Sequence, residues 1–73
     1  MSNTANKILK RLGSNMKKYR TAAGLTQIGL ALKAGLGEDY IPHIEQGKNF
    51  PSISALCKLA DVLGIDPHEF LKP

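Results

Sequence analysis

A chain of 73 residues with a net charge of +4 and 42% hydrophobic side chains is enough for one small domain, and at this size only about 60% of the unfolded surface is buried on folding. The lone Cys57 excludes an internal disulfide, and with only His43 and His68 beside it there is no Cys/His cluster for a structural zinc or other metal, so helix packing, helped or not by a dimer, has to supply the stability. No apolar run reaches the length of a signal peptide or a membrane span, which with the single cysteine gives the expectation of a soluble cytoplasmic protein with no membrane partner.

Residues 1–5 read as a flexible tail and residues 6–73 as the domain. Apolar residues at 8, 9, 12, 16, 19 and 23 predict a first helix from about Asn6 to Ala23, because that spacing lines one face of a helix. Gly13 inside it costs roughly 1 kcal/mol relative to alanine and predicts a frayed turn before it. This segment is basic: Lys7, Lys10, Arg11, Lys17, Lys18 and Arg20 meet no acid within residues 1–24, a charge of +6, while residues 25–73 carry −2. The asymmetry suits a polyanionic partner met by one side of the molecule, and equally a solvated lysine-rich face. Charge alone does not decide.

Gly24 ends the first helix, and Thr26 caps a second from Gln27 to about Lys33 with Leu30 and Ala31 inward. Gly35 marks a sharp stop. A third helix is expected from about Glu38 to Gln46, ending at Gly47. Ser52 caps a fourth, Ile53 to Leu63, whose Ile53, Leu56, Leu59, Ala60 and Leu63 form one face. Asp66, Pro67 and Glu69 then spell a cap, a proline at the first helical position and an acid at the third, the start of a short fifth helix carrying Phe70 and Leu71. Met16 and Cys57 read as core or half-buried filler, and His68 carries no assigned role. With no alternating strand pattern and no repeat, the expected fold is all-α, a compact five-helix bundle.

Spacing within the middle of the chain is more informative. Two short helices that cross steeply after a tight turn bring their backbones close, which suits the small Ala31. The turn calls for a positive φ, which suits Gly35. Ile41 and Ile44, three apart, lie on one face and would anchor the third helix from behind. Glu38, Asp39, Pro42, His43 and Gln46 are left on or near its outer face. A helix held from behind and open in front is the arrangement a helix-turn-helix presents to a DNA major groove.

The segments GLTQ (24–27), LALKAG (30–35), YIPHIEQGK (40–48), PS (51–52) and LCKLADVLGI (56–65) resemble, in order and spacing, the Cro/C1-type (Xre-like) helix-turn-helix domains of phage and bacterial transcriptional regulators, over roughly Leu12 to Leu71. The resemblance implies a lambda-repressor-like five-helix bundle whose second and third helices form the helix-turn-helix. It also implies a bacterial or phage-encoded protein, nucleoid-associated when bound, that binds operator DNA as a two-fold homodimer. It places Gln27 against phosphate and sometimes a base, Lys48 and Asn49 against phosphate, and an Arg20–Glu45 ion pair behind the third helix, in the stretch closed by Gly47. Apart from the resemblance, Thr26, Gln27 and the free N–H groups of the second helix would make an anion site, while capping alone also explains Thr26 and Ser52.

The third helix departs from that pattern. Glu38 and Asp39 can stabilise a first helical turn by about 0.3–1 kcal/mol, accept from the N4 amino group of cytosine, or repel phosphate and mark the loss of DNA binding. Pro42 costs about 3 kcal/mol inside a helix but little in its first turn, where its missing N–H has no partner anyway. If Asp39 is the cap, Pro42 falls at the third helical position; if Gly37 is, it falls at the fifth and distorts the turn, so a late or locally irregular start is expected. His43 is a base-edge donor or an ordinary surface histidine. Ile65, Phe70 and Leu71 either form a dimer surface or close the core.

Nothing in the sequence forms a nucleophile–base pair, a phosphate loop or a carboxylate–metal cluster, which points away from an enzyme, a cofactor or a small-molecule substrate. The favoured reading is a sequence-specific transcriptional regulator, a repressor, that binds double-stranded DNA at a palindromic operator as a dimer. The alternative is a helix-turn-helix module adapted to a protein partner.

Overall fold

The computed structural model describes residues 2–73. Its longest element, α1 (Asn3–Ala22), starts before the apolar stripe does. Ser2 is the reason: its backbone is extended and its Oγ accepts from the N–H of Ala5 at 3.1 Å, an N-cap. Residues 3–5, expected as tail, are therefore the first helical turn, and Met1 lies outside the described residues. The helix continues unbroken through Gly13, contrary to the frayed turn expected there.

Four α-helices follow from the sequence signals: α1, α2 (Gln27–Ala34), α3 (Tyr40–Glu45) and α4 (Ile53–Leu63). Thr26 Oγ1 accepts from Gly29 N–H at 2.9 Å to cap α2, and Ser52 Oγ accepts from Ala55 N–H at 3.1 Å to cap α4. The expected fifth helix is instead a 3-10 helix, Pro67–Leu71. Its start is as expected, with Asp66 Oδ1 accepting from His68 N–H at 3.0 Å; that hydrogen bond holds the Asp66 carboxyl below its ordinary range. The segment is too short to establish an α-helical ladder and bonds as a 3-10 turn, Glu69 N–H to Asp66 C=O at 3.0 Å. The Asn15 side chain then takes the carbonyls of Phe70 and Lys72 at 2.9 and 2.8 Å, tying the end of the chain to α1.

α1 packs on α3 and on the 3-10 helix, and α2 packs on α3 and α4. One core joins them: Leu12 and Met16 from α1, Leu30 and Ala31 from α2, Ile41 and Ile44 from α3, Leu56, Leu59 and Ala60 from α4, and Phe70. Phe70 is fully buried and meets Tyr19 edge to face, ring centroids 6.4 Å apart. It closes the core and is not available as a dimer surface. Ile65 is half-buried against the same core, while Leu71 keeps an exposed edge.

Two expectations for α4 need correction. Ala55, Leu56, Leu59 and Ala60 form its buried stripe. Ile53 lies at the edge of that stripe in the first turn and is 71% exposed. Cys57 points away from the stripe and is exposed rather than core or half-buried.

Candidate nucleic-acid interface

The turn between α2 and α3 sets the geometry of the site. Ala31 is fully buried where the two helices meet, and Gly35 turns the chain at φ 71°, a conformation that an L side chain resists. After Leu36 the chain does not enter a helix at Glu38. Tyr40 N–H closes a turn onto Gly37 C=O at 3.1 Å, Asp39 occupies the N-cap position without a side-chain cap, and α3 begins at Tyr40. Pro42 is thus the third helical residue. A helix begun at Glu38 would need an N–H on Pro42 to reach the Glu38 carbonyl, and proline has none. Glu38 and Asp39 therefore precede the first turn rather than forming it, as exposed side chains at the mouth of α3.

The back of α3 is closed. Ile41 and Ile44 are 0% and 1% exposed. On this side Gly13 of α1 has a role that its helix penalty concealed. A Cβ there would lie 2.8 Å from the Ile44 carbonyl oxygen and 2.9 Å from that of Glu45, so only a glycine lets α1 approach the end of α3. An isolated glycine within a periodic apolar stripe was the available signal. Gly47, at φ 72°, carries the chain away from α3.

Beside this contact lies a polar network. Arg20 Nε donates to Glu45 Oε2 at 2.7 Å and its second guanidinium nitrogen to Oε1 at 3.1 Å, a two-point pair with side chains only 11% and 6% exposed. The remaining terminal nitrogen of Arg20 donates to the Leu25 carbonyl at 2.9 Å, which holds the α1–α2 turn. Hydrogen bonding to Glu45 raises the Arg20 pKa. Gln27 joins the same carboxylate, its Nε2 donating to Glu45 Oε1 at 3.1 Å. Nothing in the sequence marks this third member, since a glutamine and a glutamate 18 residues apart show no pattern until the helices are placed.

The front of α3 is open. A groove of about 460 Å³ runs along its start, where Glu38, Asp39, Tyr40 and His43 face Asn49 and Phe50 of the following loop. Lys48 is exposed just beyond α3, with its N–H donating to the His43 carbonyl at 3.0 Å. Pro42 is half-buried at the edge of this face. Thr26 and Gln27 lie apart from the groove at the start of α2, where the N–H groups of Gln27 and Ile28 precede the first intrahelical bond, Leu30 to the Thr26 carbonyl at 2.9 Å. Phe50 was not foreseen. It is 44% exposed, too open for a core residue, and it lines the groove beside the two acids.

Four α-helices among the described residues, with α3 anchored behind and bare in front, define a helix-turn-helix, and residues 11–71 match the helix-turn-helix domain family. The chain belongs to that family. It is 33% identical over 64 residues, 88% of its length and 83% of the other's, to an uncharacterized HTH-type transcriptional regulator, y4dJ, of Sinorhizobium fredii. It is 41% identical over 54 residues to the immunity repressor protein of Bacillus phage phi105, covering 74% of this chain but only 38% of that protein. Among solved structures it is similar to the restriction-modification controller protein C.AhdI from Aeromonas hydrophila, at a TM-score of 0.80 and 37% identity over 85% of this chain and 94% of that one. No helix among the described residues is long and apolar enough to cross a membrane.

Proposed function

We propose that this protein is a sequence-specific DNA-binding transcriptional regulator that represses by occupying a palindromic operator as a homodimer. The observation that carries the reading is the contrast across α3: Ile41 and Ile44 buried behind, Glu38, Asp39 and His43 exposed in front. That flank enters the major groove, and the two copies of α3 in a dimer reach successive turns, about 34 Å apart. The free N–H groups at the start of α2, with Thr26, Lys48 and Asn49, hold phosphates. Glu38 and Asp39 accept from cytosine amino groups, and His43 contacts a base edge. Leu71 and the exposed edge of Ile65 contribute to the dimer surface; Phe70 does not, because the core consumes it. The names of the relatives, a transcriptional regulator and a phage repressor, support the same reading.

The test is selection of bound duplexes from random oligonucleotides, followed by a salt titration with the winning sequence. The proposal expects an inverted repeat and a binding constant that falls log-linearly with salt, with a slope near −0.9 per phosphate neutralised. No enriched sequence, together with salt-insensitive association to a protein, would favour the alternative in which the acidic mouth of α3 serves a protein partner.

A further inference from the structure

The Arg20–Glu45 pair accounts for holding α3 in place, but not for the third bond that Glu45 makes. Its Oε1 also accepts from Gln27 Nε2 at 3.1 Å. A carboxylate only accepts, so the amide nitrogen of Gln27, and not its oxygen, has to face Glu45. This fixes which way round the Gln27 amide sits. One of its N–H groups is committed, and one N–H together with the carbonyl oxygen remains. Because Arg20 neutralises the carboxylate at two points and is itself tied to the Leu25 carbonyl, Glu45 cannot swing away to release the glutamine. The network therefore runs from α1 through the end of α3 to Gln27, the first residue of α2, beside the free N–H groups of that helix start.

We infer that Glu45 is a positioning residue for Gln27, presetting the glutamine as a combined donor and acceptor for nucleic acid. This rests on the DNA-binding reading above. A freely rotating amide presents a donor or an acceptor to a phosphate or a base at random and loses rotamer entropy on binding; a preset one does not. The remaining pair of groups matches an edge that offers one acceptor and one donor, as adenine does with N7 and N6–H2 in the major groove. It is a poorer match to a phosphate, which only accepts and repels the carbonyl oxygen. Gln27 accordingly acts on base preference through its side chain, while its backbone N–H remains the phosphate donor.

The experiment has two arms. The first uses the wild-type protein without DNA: NMR of the glutamine side-chain amides, assigned with Gln27→Ala. A rigid, exchange-protected Gln27 amide with shifts displaced from those of Gln46 supports the inference, and a freely averaging one overturns it whether or not DNA binds. The second measures binding of the selected duplex, and of a version with each A·T pair replaced in turn, by wild type, Gln27→Ala, Glu45→Gln and the double variant. The expected result is that Glu45→Gln weakens binding about tenfold when Gln27 is present and adds little when it is absent. Equal losses in both backgrounds would mean that Glu45 is only a clamp for α3 and would overturn the inference. If Glu45→Gln does not fold, the first arm alone decides. A failure of any duplex to bind would count against the DNA-binding reading itself, and leaves the NMR arm free to support or overturn the positioning.

Discussion

The two flanks of α3 are built on different principles. Behind it, every side chain is fixed by something else: Ile41 and Ile44 by the core, Glu45 by Arg20 and Gln27, and the helix axis itself by the missing side chain of Gly13. In front, Glu38, Asp39, His43, Lys48 and Asn49 are all exposed, and none of their side chains makes a hydrogen bond or ion pair among the described residues. The back carries stability and the front carries contact. Substitutions behind α3 should therefore be read first in unfolding experiments, with Glu45 and Gln27 read in binding as well, and those in front in binding experiments.

Ile44→Ala empties a fully packed site and is expected to cost about 2–5 kcal/mol in denaturant unfolding. Glu45→Ala leaves the nearly buried Arg20 without its partner, and a loss of about 3 kcal/mol is expected by the same measurement, part of it recoverable in an Arg20→Met, Glu45→Leu double variant that removes both charges. Gly13→Ala sets the helix preference of alanine, about 1 kcal/mol in its favour, against two backbone oxygens that cannot retreat without moving α3. A net loss of about 1–3 kcal/mol is expected, and a stabilised variant would show that α1 and α3 do not approach as closely as described. In front, Glu38→Ala and Asp39→Ala should leave stability within about 0.5 kcal/mol of wild type while shifting base preference by about 1–3 kcal/mol in binding competition. Unchanged preference in both would remove the acids from base reading.

Much of the back was legible from the chain alone, because it rests on repeating patterns. The apolar spacing fixed the packed faces of α1, α2 and α3. The glycines and the Thr26 and Ser52 caps set most of the boundaries, and Pro42 left a late or a locally irregular start of α3, of which the structure has the late one. What escaped depends on contacts between distant segments. Gly13 looked like a weakness because helix propensity is local, whereas the approach of Ile44 and Glu45 that gives it value is not. Cys57 and Ile53 were assigned inward because the stripe on α4 is narrower than its composition suggests. Phe70 and Leu71 stay undivided between dimer surface and core in the sequence, because the burial of adjacent residues on a 3-10 turn depends on where the turn docks. The front of α3 was the least legible part, since exposed polar residues leave no periodic trace, and Phe50 went unnoticed for the same reason.

Chemical-shift mapping of the protein titrated with the selected duplex reads which surface meets DNA. If the open flank of α3 meets DNA, the largest perturbations fall on Thr26, Gln27, Glu38, Asp39, His43, Lys48 and Asn49, with Ile41 and Ile44 shifted little. Perturbations gathered instead around Ile65 and Leu71, or on the exposed face of α4 at Ile53 and Cys57, with the mouth of α3 unchanged, would contradict it.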